Sequence, residues 1–527
     1  MEPIVTIAGG AIRGRTEAGV TRFLGVPYAA APVGARRFRL PEPAPAWTGV
    51  REATEMGATC AQSPYPAPIH ALIGSDGIPG DEYLNANVWT PDPTASGLPV
   101  LVWIHGGAFV RGSNARAIYD GSAFARDGVV LVSINYRLGI SGFAALDGAP
   151  LNRGLHDQIF ALEWVRDNVA AFGGDPDNVT VFGESAGGMS VAALIAAPRA
   201  TGLFRRAIMQ SGNGAVGADP QDARLVATAL AAELDIAPTA AAFGELGPDQ
   251  LRTAQNAVAL AMMTDPDPRR WGASVIQQGM GIMSLFPVID DDIVPGPPTE
   301  VLAAHPERAV PLIAGTTADE FRFFTVPTGI TAAVTADTLP LVLTRYGIDP
   351  AVAPTYSTHR PDATPAEIFN AILTDWCFRA GTVDFATANA AAAPTHVYEF
   401  AWPTGLPELG ACHVLEVPFV FDVLADAHSI TGPNPPQALA DEIHTAWVRF
   451  ATDGDPGWQA FEPDTRLVRP CRHPGVLDGR RSAGGRTRRP APDDRLTRRR
   501  PRRTGDGAGC RCARGAIAGR RGDQRDR

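Results

Sequence analysis

The feature that most constrains this chain is a glycine-flanked serine between a strand pattern and a helix pattern. Residues 179–182 are mostly β-branched and apolar, as in a buried strand, and residues 189–197 form a helix pattern. Between them lies Gly183-Glu-Ser185-Ala-Gly187, with the spacing G-x-S-x-G. Such a strand–turn–helix holds its serine at the tip of a sharp turn, with the hydroxyl above the sheet. By chance alone, the motif would occur in roughly a quarter of such glycine-rich chains. The strand pattern before it and the helix pattern after it are therefore what make Ser185 a candidate nucleophile.

A second glycine turn follows another apolar strand. Residues 100–104 run directly into His105-Gly106-Gly107-Ala-Phe109. Consecutive glycines leave bare backbone N–H groups that a ligand can approach closely. Alone, the pattern fits a simple strand turn as well as an oxyanion hole. Beside a nucleophile elbow it favours the oxyanion hole.

Strand and helix patterns alternate through the rest of the chain. Buried strands are predicted at 129–134, 207–210, 310–314 and 397–400. A helix that leads into the elbow strand is predicted at 157–172. This alternation predicts an α/β fold with a mostly parallel central sheet, helices on both faces, and a ligand site at the carboxyl ends of the strands. Helical insertions at 215–285 and 330–395 are predicted to form the walls of that ligand site.

The charge of the chain is unevenly distributed. Its net charge is −10 over 527 residues, 45% of which are hydrophobic. Residues 471–527 carry 18 arginines against 6 aspartates, so residues 1–470 are strongly acidic, which disfavours nucleic acid and anionic membranes as partners. We predict a globular domain over 1–470 and an Arg-rich low-complexity tail over 471–527, either disordered or read from a shifted frame.

Targeting and redox signals are weak. The first residues lack the basic and apolar regions of a signal peptide, and no apolar run of about 18 residues is present to span a membrane. The six cysteines show no regular spacing. We therefore predict a cytoplasmic protein with reduced thiols and with neither a metal nor an organic cofactor.

Eight short segments within residues 4–465 share the pattern of one protein family. They are Phe23-Leu-Gly-Val-Pro-Tyr-Ala29, His105–Phe109, Asn135-Tyr-Arg-Leu-Gly139, Phe172-Gly-Gly-Asp-Pro176, Phe182–Gly188, Gln210-Ser-Gly212, Asp319-Glu320 and His413-Val-Leu-Glu-Val-Pro-Phe419. In this order they resemble the type-B carboxylesterase and cholinesterase family of α/β-hydrolases, and most of all its bacterial para-nitrobenzyl-esterase-like branch.

The resemblance implies the α/β-hydrolase fold and a role for eight residues. The implied nucleophile, acid and general base are Ser185, Glu320 and His413. The implied backbone donors of the oxyanion hole are Gly106, Gly107 and Ala186. Glu184 is implied to line the site, and Ser211 is implied to support the acid from behind.

Elementary chemistry agrees with this triad. A serine hydroxyl is a weak nucleophile until an imidazole takes its proton, and an acid at the other ring nitrogen holds the required tautomer. From the residues alone, His413 is only one of several late histidines and Asp319 rivals Glu320. Adjacent side chains on an extended segment point in opposite directions, so only one of the two acids can reach the histidine. We expect activity to fall below about pH 6.5, where an unperturbed histidine becomes protonated.

The chain departs from the family pattern in two regions. Cys60 is present, but Tyr83 stands where the family often has the partner cysteine, so that disulfide cannot form. Residues 60–82, predicted to be an irregular surface loop, lack the family's choline-binding tryptophan, which argues against a cholinesterase. After Phe461 the family would continue with a closing strand or helix, and here the pattern is lost.

We therefore predict a serine hydrolase that cleaves carboxylic esters through an acyl-enzyme on Ser185. The neutral, apolar insertions favour small-molecule esters with short or medium acyl chains. One alternative is a carbamate or amide hydrolase of the same fold. The other is a non-catalytic cholinesterase-like binding protein, which would lack triad residues. A monomer or homodimer without nucleic-acid or membrane partners is expected.

Overall fold

Two β-sheets are formed by residues 2–74, 77–464 and 468–472, the part of the chain that this computed structural model describes. The strands in this part are β1 (Ile4–Ile7), β2 (Gly10–Arg13), β3 (Arg15–Glu17), β4 (Val20–Pro27), β5 (Val50–Glu52), β6 (Asn85–Thr90), β7 (Leu98–Ile104), β8 (Val130–Ile134), β9 (Gly174–Glu184), β10 (Arg206–Gln210), β11 (Leu312–Thr317), β12 (Thr395–Phe400) and β13 (Arg469–Cys471). Within these residues the larger sheet has ten strands in the order β13-β12-β11-β10-β9-β7-β8-β6-β4-β3, and the smaller joins β1, β2 and β5. Pairing is parallel from β13 to β8 and antiparallel through β6, β4 and β3, which confirms the predicted, mostly parallel central sheet.

The centre of the large sheet is apolar on both of its faces. All five residues of β8 are buried, as are the last five of β7. Trp103 of β7 packs against Phe182 of β9 and Phe421, with ring centroids 4.7 and 5.0 Å apart. A strand covered on both faces is a nearly continuous apolar run in sequence, and this explains why these strands could be recognised without a structure.

Helices surround the sheet and fill two long insertions. They are α1 (Ala67–Ile73), α2 (Ser122–Arg126), α3 (Gly139–Phe143), α4 (Arg153–Asn168), α5 (Ala186–Ala196), α6 (Pro220–Glu233), α7 (Ala240–Gly244), α8 (Pro248–Thr264), α9 (Pro268–Trp271), α10 (Ala273–Gly279), α11 (Pro298–Ala304), α12 (Arg322–Thr325), α13 (Leu339–Arg345), α14 (Ala353–His359), α15 (Pro365–Thr374), α16 (Ala380–Ala390), α17 (Val417–Val420), α18 (His428–Thr431) and α19 (Gln437–Asp453). Helices α6 to α10 lie between β10 and β11, and α13 to α16 lie between β11 and β12, as the sequence predicts. Helix α5 packs on β9 and β10, so its first turn lies at the carboxyl ends of these parallel strands.

The segment 60–82 differs from its predicted irregular loop. Helix α1 begins directly after Pro66, has a further proline at Pro68 in its first turn, and ends at Ile73, directly before Gly74, where φ is 59°. Proline is tolerated in the first turn of a helix because that turn has no partner for its N–H groups, and glycine readily adopts positive φ at a helix end. The residues that suggested a loop therefore start and stop a short helix.

The predicted domain boundary at residue 470 lies inside β13. Arg469–Cys471 pairs in parallel with Tyr398–Phe400 of β12, so strand pairing continues beyond the point where the sequence pattern is lost. Residues 473–527, which make up nearly all of the predicted tail, lie outside the described residues. The division of the chain at residue 470 therefore remains a prediction.

The described cysteines are all buried thiols without disulfides, namely Cys60, Cys377, Cys412 and Cys471. Cys60 is therefore unpaired, as the tyrosine at position 83 predicts. Among the helices of the described residues, none combines the length and the apolar character needed to cross a lipid bilayer.

Candidate active site

Ser185 lies at the turn between β9 and α5, as its motif predicts. Strand β9 ends at Glu184 and α5 begins at Ala186. The Ser185 backbone has φ 57° and ψ −122°, and such conformations cost a residue with a side chain about 1–3 kcal/mol. Its N–H donates to the Gln210 carbonyl at 3.0 Å, and its carbonyl accepts from the Met189 N–H at 2.8 Å. These bonds to β10 and α5 hold the turn in its strained form.

Glycine is required on both sides of Ser185 because backbone passes within contact distance. A Cβ on Gly183 would lie 2.6 Å from the carbonyl carbon of Gly187. A Cβ on Gly187 would lie 2.0 Å from the carbonyl oxygen of Ile104, at the end of β7. Only hydrogen fits at either position, which explains the motif in terms of packing.

The glycine turn after β7 adjoins Ser185 in space. A Cβ on Gly106 would lie 3.0 Å from Ser185 Cβ, so no side chain can separate this backbone from the serine. Gly107 has φ 119°, and a Cβ there would lie 2.1 Å from the Arg111 carbonyl oxygen. Ala186, the first residue of α5, is buried next to Ser185. The three residues predicted for the oxyanion hole therefore lie around one point of the fold.

His105, the first residue of this segment, helps to orient the turn. Its Nδ1–H donates to the Gly106 carbonyl at 2.8 Å, and its ring stacks on Tyr136 with centroids 4.6 Å apart. Burial lowers the pKa of His105 to about 4, so the ring is neutral in the physiological range.

The imidazole of His413 is held by Glu320, and both side chains are buried. The His413 Nδ1–H donates to Glu320 Oε2 at 2.6 Å, and Glu320 Oε1 accepts from the Thr317 N–H at 2.8 Å. The rival acid, Asp319, accepts instead from the Ala411 N–H at 3.0 Å. The structure therefore brings Glu320 to His413 and directs Asp319 elsewhere.

Glu184 meets the other ring nitrogen of His413. Its Oε1 lies 3.0 Å from His413 Nε2, an ion-pair distance without the alignment of a hydrogen bond. Burial raises the pKa of Glu184 to about 7, although His413 opposes the rise. Burial also lowers the pKa of His413, but the carboxylates of Glu184 and Glu320 outweigh this and raise it to about 9. The pKa of His413 is therefore raised above that of the unperturbed histidine assumed from the sequence, and this predicts an acid limit of activity above pH 6.5.

One protein family covers most of the chain. Residues 1–466 match the carboxylesterase family. The chain belongs to this family. Its prediction as a carboxylic-ester hydrolase of serine type with the α/β-hydrolase fold is thereby confirmed.

Individual relatives agree with this assignment. The carboxylesterase is 38% identical to the para-nitrobenzyl esterase of Bacillus subtilis over 485 residues, which cover 88% of this chain and 93% of that protein. It is 34% identical to the phenmedipham hydrolase of Pseudarthrobacter oxydans, with 88% and 94% covered. A solved carboxylesterase structure from Geobacillus stearothermophilus at pH 6.2 superposes with a TM-score of 0.76 at 35% identity, over 89% of this chain and 96% of that chain. The predicted para-nitrobenzyl-esterase-like branch is therefore confirmed.

Sequence reasoning missed a third buried acid beside His413. Glu416 is 1% exposed, and burial together with the Glu184 and Glu320 carboxylates raises its pKa to about 8. Its Oε2 has no hydrogen-bond partner among the described residues. The residue stands three positions after His413, but no local pattern distinguishes a buried glutamate from an exposed one.

Aromatic rings pack around His413 in this carboxylesterase. The ring centroids of Phe378 and Phe324 lie 4.7 and 5.3 Å from that of the imidazole. Phe324 follows the acid closely in sequence, whereas Phe378 comes from a π-helical turn, Asp375–Arg379. A π turn has no sequence period of its own and often occurs at functional sites, so the sequence offered no signal for Phe378.

Ser211 does not show the side-chain contact that the resemblance implies. Its N–H donates to the Gly315 carbonyl at 2.8 Å, which joins the ends of β10 and β11. Its Oγ is buried and has no hydrogen-bond partner within the described residues. Support of Glu320 by the Ser211 hydroxyl therefore remains a prediction.

The described residues contain no cluster of three or more His, Cys, Asp and Glu side chains that could hold a metal ion. The histidine and acids of the site contact one another instead.

We expect Gly187→Ala to destabilise the carboxylesterase by about 3 kcal/mol, because its methyl group would overlap the carbonyl of β7 and neither backbone can move freely. Urea unfolding measures the effect. The matched control is Gly244→Ala in α7, where a Cβ meets nothing within 4 Å and alanine is the better helix former. Equal loss of stability in both variants would contradict the packing argument.

Proposed function

We propose that this carboxylesterase hydrolyses small carboxylic esters with Ser185 as nucleophile, His413 as general base and Glu320 as the acid that orients His413. The main support is the hydrogen bond from His413 Nδ1–H to a buried carboxylate, which leaves Nε2 as the nitrogen that can accept a proton. Nε2 also lies beside Glu184, the residue that precedes Ser185, so the base is next to the elbow.

Acylation begins when Ser185 Oγ attacks the ester carbonyl carbon and its proton passes to His413 Nε2. The carbonyl oxygen becomes negatively charged and accepts hydrogen bonds from the N–H groups of the glycine turn and of Ala186. Loss of one such donor typically lowers the rate by about 10²–10³. The bond to the alcohol oxygen then breaks, and His413 returns the proton to that oxygen.

Deacylation repeats these steps with water. His413 Nε2 takes a proton from the water, whose oxygen attacks the acyl carbon on Ser185. The same N–H groups stabilise the second oxyanion. The carboxylic acid leaves when the bond to Ser185 Oγ breaks, and the serine recovers its proton from His413.

The rings of Phe324 and Phe378 lie beside His413 and offer an apolar surface to substrate groups next to the scissile bond. This favours esters with short or medium acyl chains. The test is a series of para-nitrophenyl esters with increasing acyl length, together with a matched carbamate and anilide. We expect a burst of nitrophenol equal to the enzyme concentration and preference for the ester. Faster turnover of the carbamate or anilide would overturn the ester assignment.

The pH dependence of activity should reflect the carboxylates around His413. The neutral imidazole is the base, so a raised pKa means that activity is lost already as the pH falls through that higher value. We expect the acid limb of kcat/KM to lie above pH 6.5. Glu184→Gln should lower its midpoint by about 1 unit or more, because one of the two charges that favour the imidazolium is removed.

The control for this measurement is Glu245→Gln, which removes an exposed carboxylate in the insertion between β10 and β11. Its acid limb should coincide with that of the wild type. An unchanged limb in the Glu184 variant would show that Glu184 does not act on the proton affinity of His413.

We also infer a cytoplasmic location and a monomeric or homodimeric state. The location is supported by the free thiols of the described cysteines, which an oxidising compartment would tend to pair. Cell fractionation tests the first inference, and light scattering on the purified protein tests the second.

A further inference from the structure

A tyrosine and two arginines beside the glycine turn form no salt bridge or hydrogen bond with an acidic side chain of the part of the chain that the structure describes. We call Tyr65, Arg111 and Arg116 the Tyr65 cluster. The Arg111 guanidinium carbon lies 5.6 Å from the Tyr65 ring centroid. Among the described residues, the Arg111 side chain makes one hydrogen bond, a long contact of 3.4 Å from Nε to the Pro64 carbonyl. No described residue forms a hydrogen bond with the Tyr65 hydroxyl or an ion pair with Arg111.

Within the described residues, the hydrogen-bond acceptors of Arg116 are neutral groups. Its Nη1 donates to Tyr119 Oη at 3.1 Å and its Nη2 to the Ile73 carbonyl at 2.5 Å. Its Nε is buried and has no partner in the described part of the chain. Among the described residues, neither arginine of the cluster forms a salt bridge or a hydrogen bond with a carboxylate.

The Tyr65 cluster adjoins the proposed catalytic groups. The Arg111 N–H donates to the Gly107 carbonyl at 2.9 Å, so Arg111 belongs to the turn that would form the oxyanion hole. Arg116 is close enough to Glu184 for its charge to lower the pKa of that carboxyl, against the larger effect of burial. Both arginines and Glu184 also act electrostatically on the Tyr65 hydroxyl. The cluster is therefore joined to the glycine turn through Arg111 and lies within electrostatic range of Glu184, the acid that contacts His413.

Half-buried cations without countercharges favour an anionic ligand. Burial lowers the pKa of Arg111, because the charged guanidinium loses hydration. The guanidinium is a planar fork of donors that matches a carboxylate, and hydrogen bonds between charged groups are roughly twice as strong as neutral ones. The Tyr65 hydroxyl, for which the described residues offer no hydrogen-bond partner, adds a second type of donor.

We propose that the Tyr65 cluster binds a carboxylate carried by the ester substrate, at a distance from its scissile bond. The preferred substrates are then esters with one free carboxylate, such as monoesters of dicarboxylic acids. Their apolar middle part would lie against the phenylalanines around His413, and Arg111 would hold the anionic end. Glu184 would repel an anion, which favours placement on the Arg111 side of the cluster. This inference rests on the proposed function of Ser185 and His413.

Two pairs of esters test the proposal. Mono-para-nitrophenyl glutarate is compared with para-nitrophenyl pentanoate for an anion on the acyl side, and 4-acetoxybenzoate with 4-acetoxybenzamide for an anion on the alcohol side. The readout is the ratio of kcat/KM for the anionic ester to that for its neutral partner, after subtraction of spontaneous hydrolysis. For at least one pair we expect Arg111→Gln to lower this ratio about tenfold, mainly through KM, because a charge-assisted hydrogen bond is lost.

Further variants separate recognition of the anion from a loss of structure. Arg111→Lys keeps the charge and should retain part of the ratio, and Tyr65→Phe removes one hydroxyl and should lower the ratio less than Arg111→Gln. Added salt should lower the wild-type ratio, because it screens the attraction. Arg166→Gln, on the exposed side of α4, should leave the ratio as it is in the wild type.

The proposal is overturned if Arg111→Gln and Tyr65→Phe keep the wild-type ratio for both ester pairs while the neutral esters are cleaved. Failure of the wild type to cleave any of the four esters would instead overturn the proposed function, and the two failures are therefore distinguishable.

Discussion

Replacing Ser185 by alanine is expected to lower kcat for para-nitrophenyl acetate by roughly 10⁴–10⁶. The variant keeps the elbow backbone but has no oxygen to form the acyl-enzyme. Only the weak catalysis from oriented water and the backbone donors remains. Fluorophosphonate labelling gives an independent readout, because the reagent forms a bond to an activated serine oxygen.

The matched control is Ser133→Ala in β8, a buried serine whose hydroxyl has no hydrogen-bond partner among the described residues. It should be labelled as efficiently as the wild type and should retain activity. Stoichiometric labelling of the Ser185 variant would show that another residue is the nucleophile.

Replacing Glu320 by glutamine is expected to lower kcat by about 10⁴, as the loss of the orienting carboxylate does in other triads. Glu320 Oε2 accepts the Nδ1–H of His413, and Oε1 is fixed by the Thr317 N–H. A glutamine can turn its amide N–H toward Nδ1 and stabilise the opposite tautomer, which places the proton on Nε2. The base would then be unable to accept the serine proton. Steady-state kinetics with near-UV circular dichroism separates this effect from unfolding.

Asp319→Asn is the control for this prediction. The asparagine keeps the oxygen that can accept the Ala411 N–H, and Asp319 does not reach the imidazole. Its loss of activity should be far smaller than that of Glu320→Gln. The reverse ranking would make Asp319 the acid and would contradict the geometry.

The strands of the sheet and the elbow were predictable because their signals are local. Strands β7 and β8 are apolar runs, and the glycines around Ser185 occur where backbone atoms leave no room for a Cβ. The backbone and its nearest neighbours alone impose these constraints. The same local reasoning misjudged α1, since proline and glycine mark helix ends as well as loops.

The pairing of His413 with Glu320 was harder to predict from the sequence. His413 and Glu320 are separated by 93 residues, and the residues alone left other late histidines and Asp319 open. The family resemblance identified the pair, and the described contacts agree with it. The resemblance implied that Glu184 lines the site, but it gave no indication that the carboxylates of Glu184 and Glu416 would raise the pKa of His413.

The sequence by itself determined the α/β class, the elbow with Ser185 and the glycine turn, because each depends on residues adjacent in the chain. Only the tertiary structure decided the electrostatic state of His413, the packing of Phe378 against it, and the placement beside Tyr65 of two arginines that form no salt bridge with a described acid. These properties depend on which groups exclude water from one another. That is a matter of three-dimensional proximity, since burial and charge act across space and leave no period in the sequence.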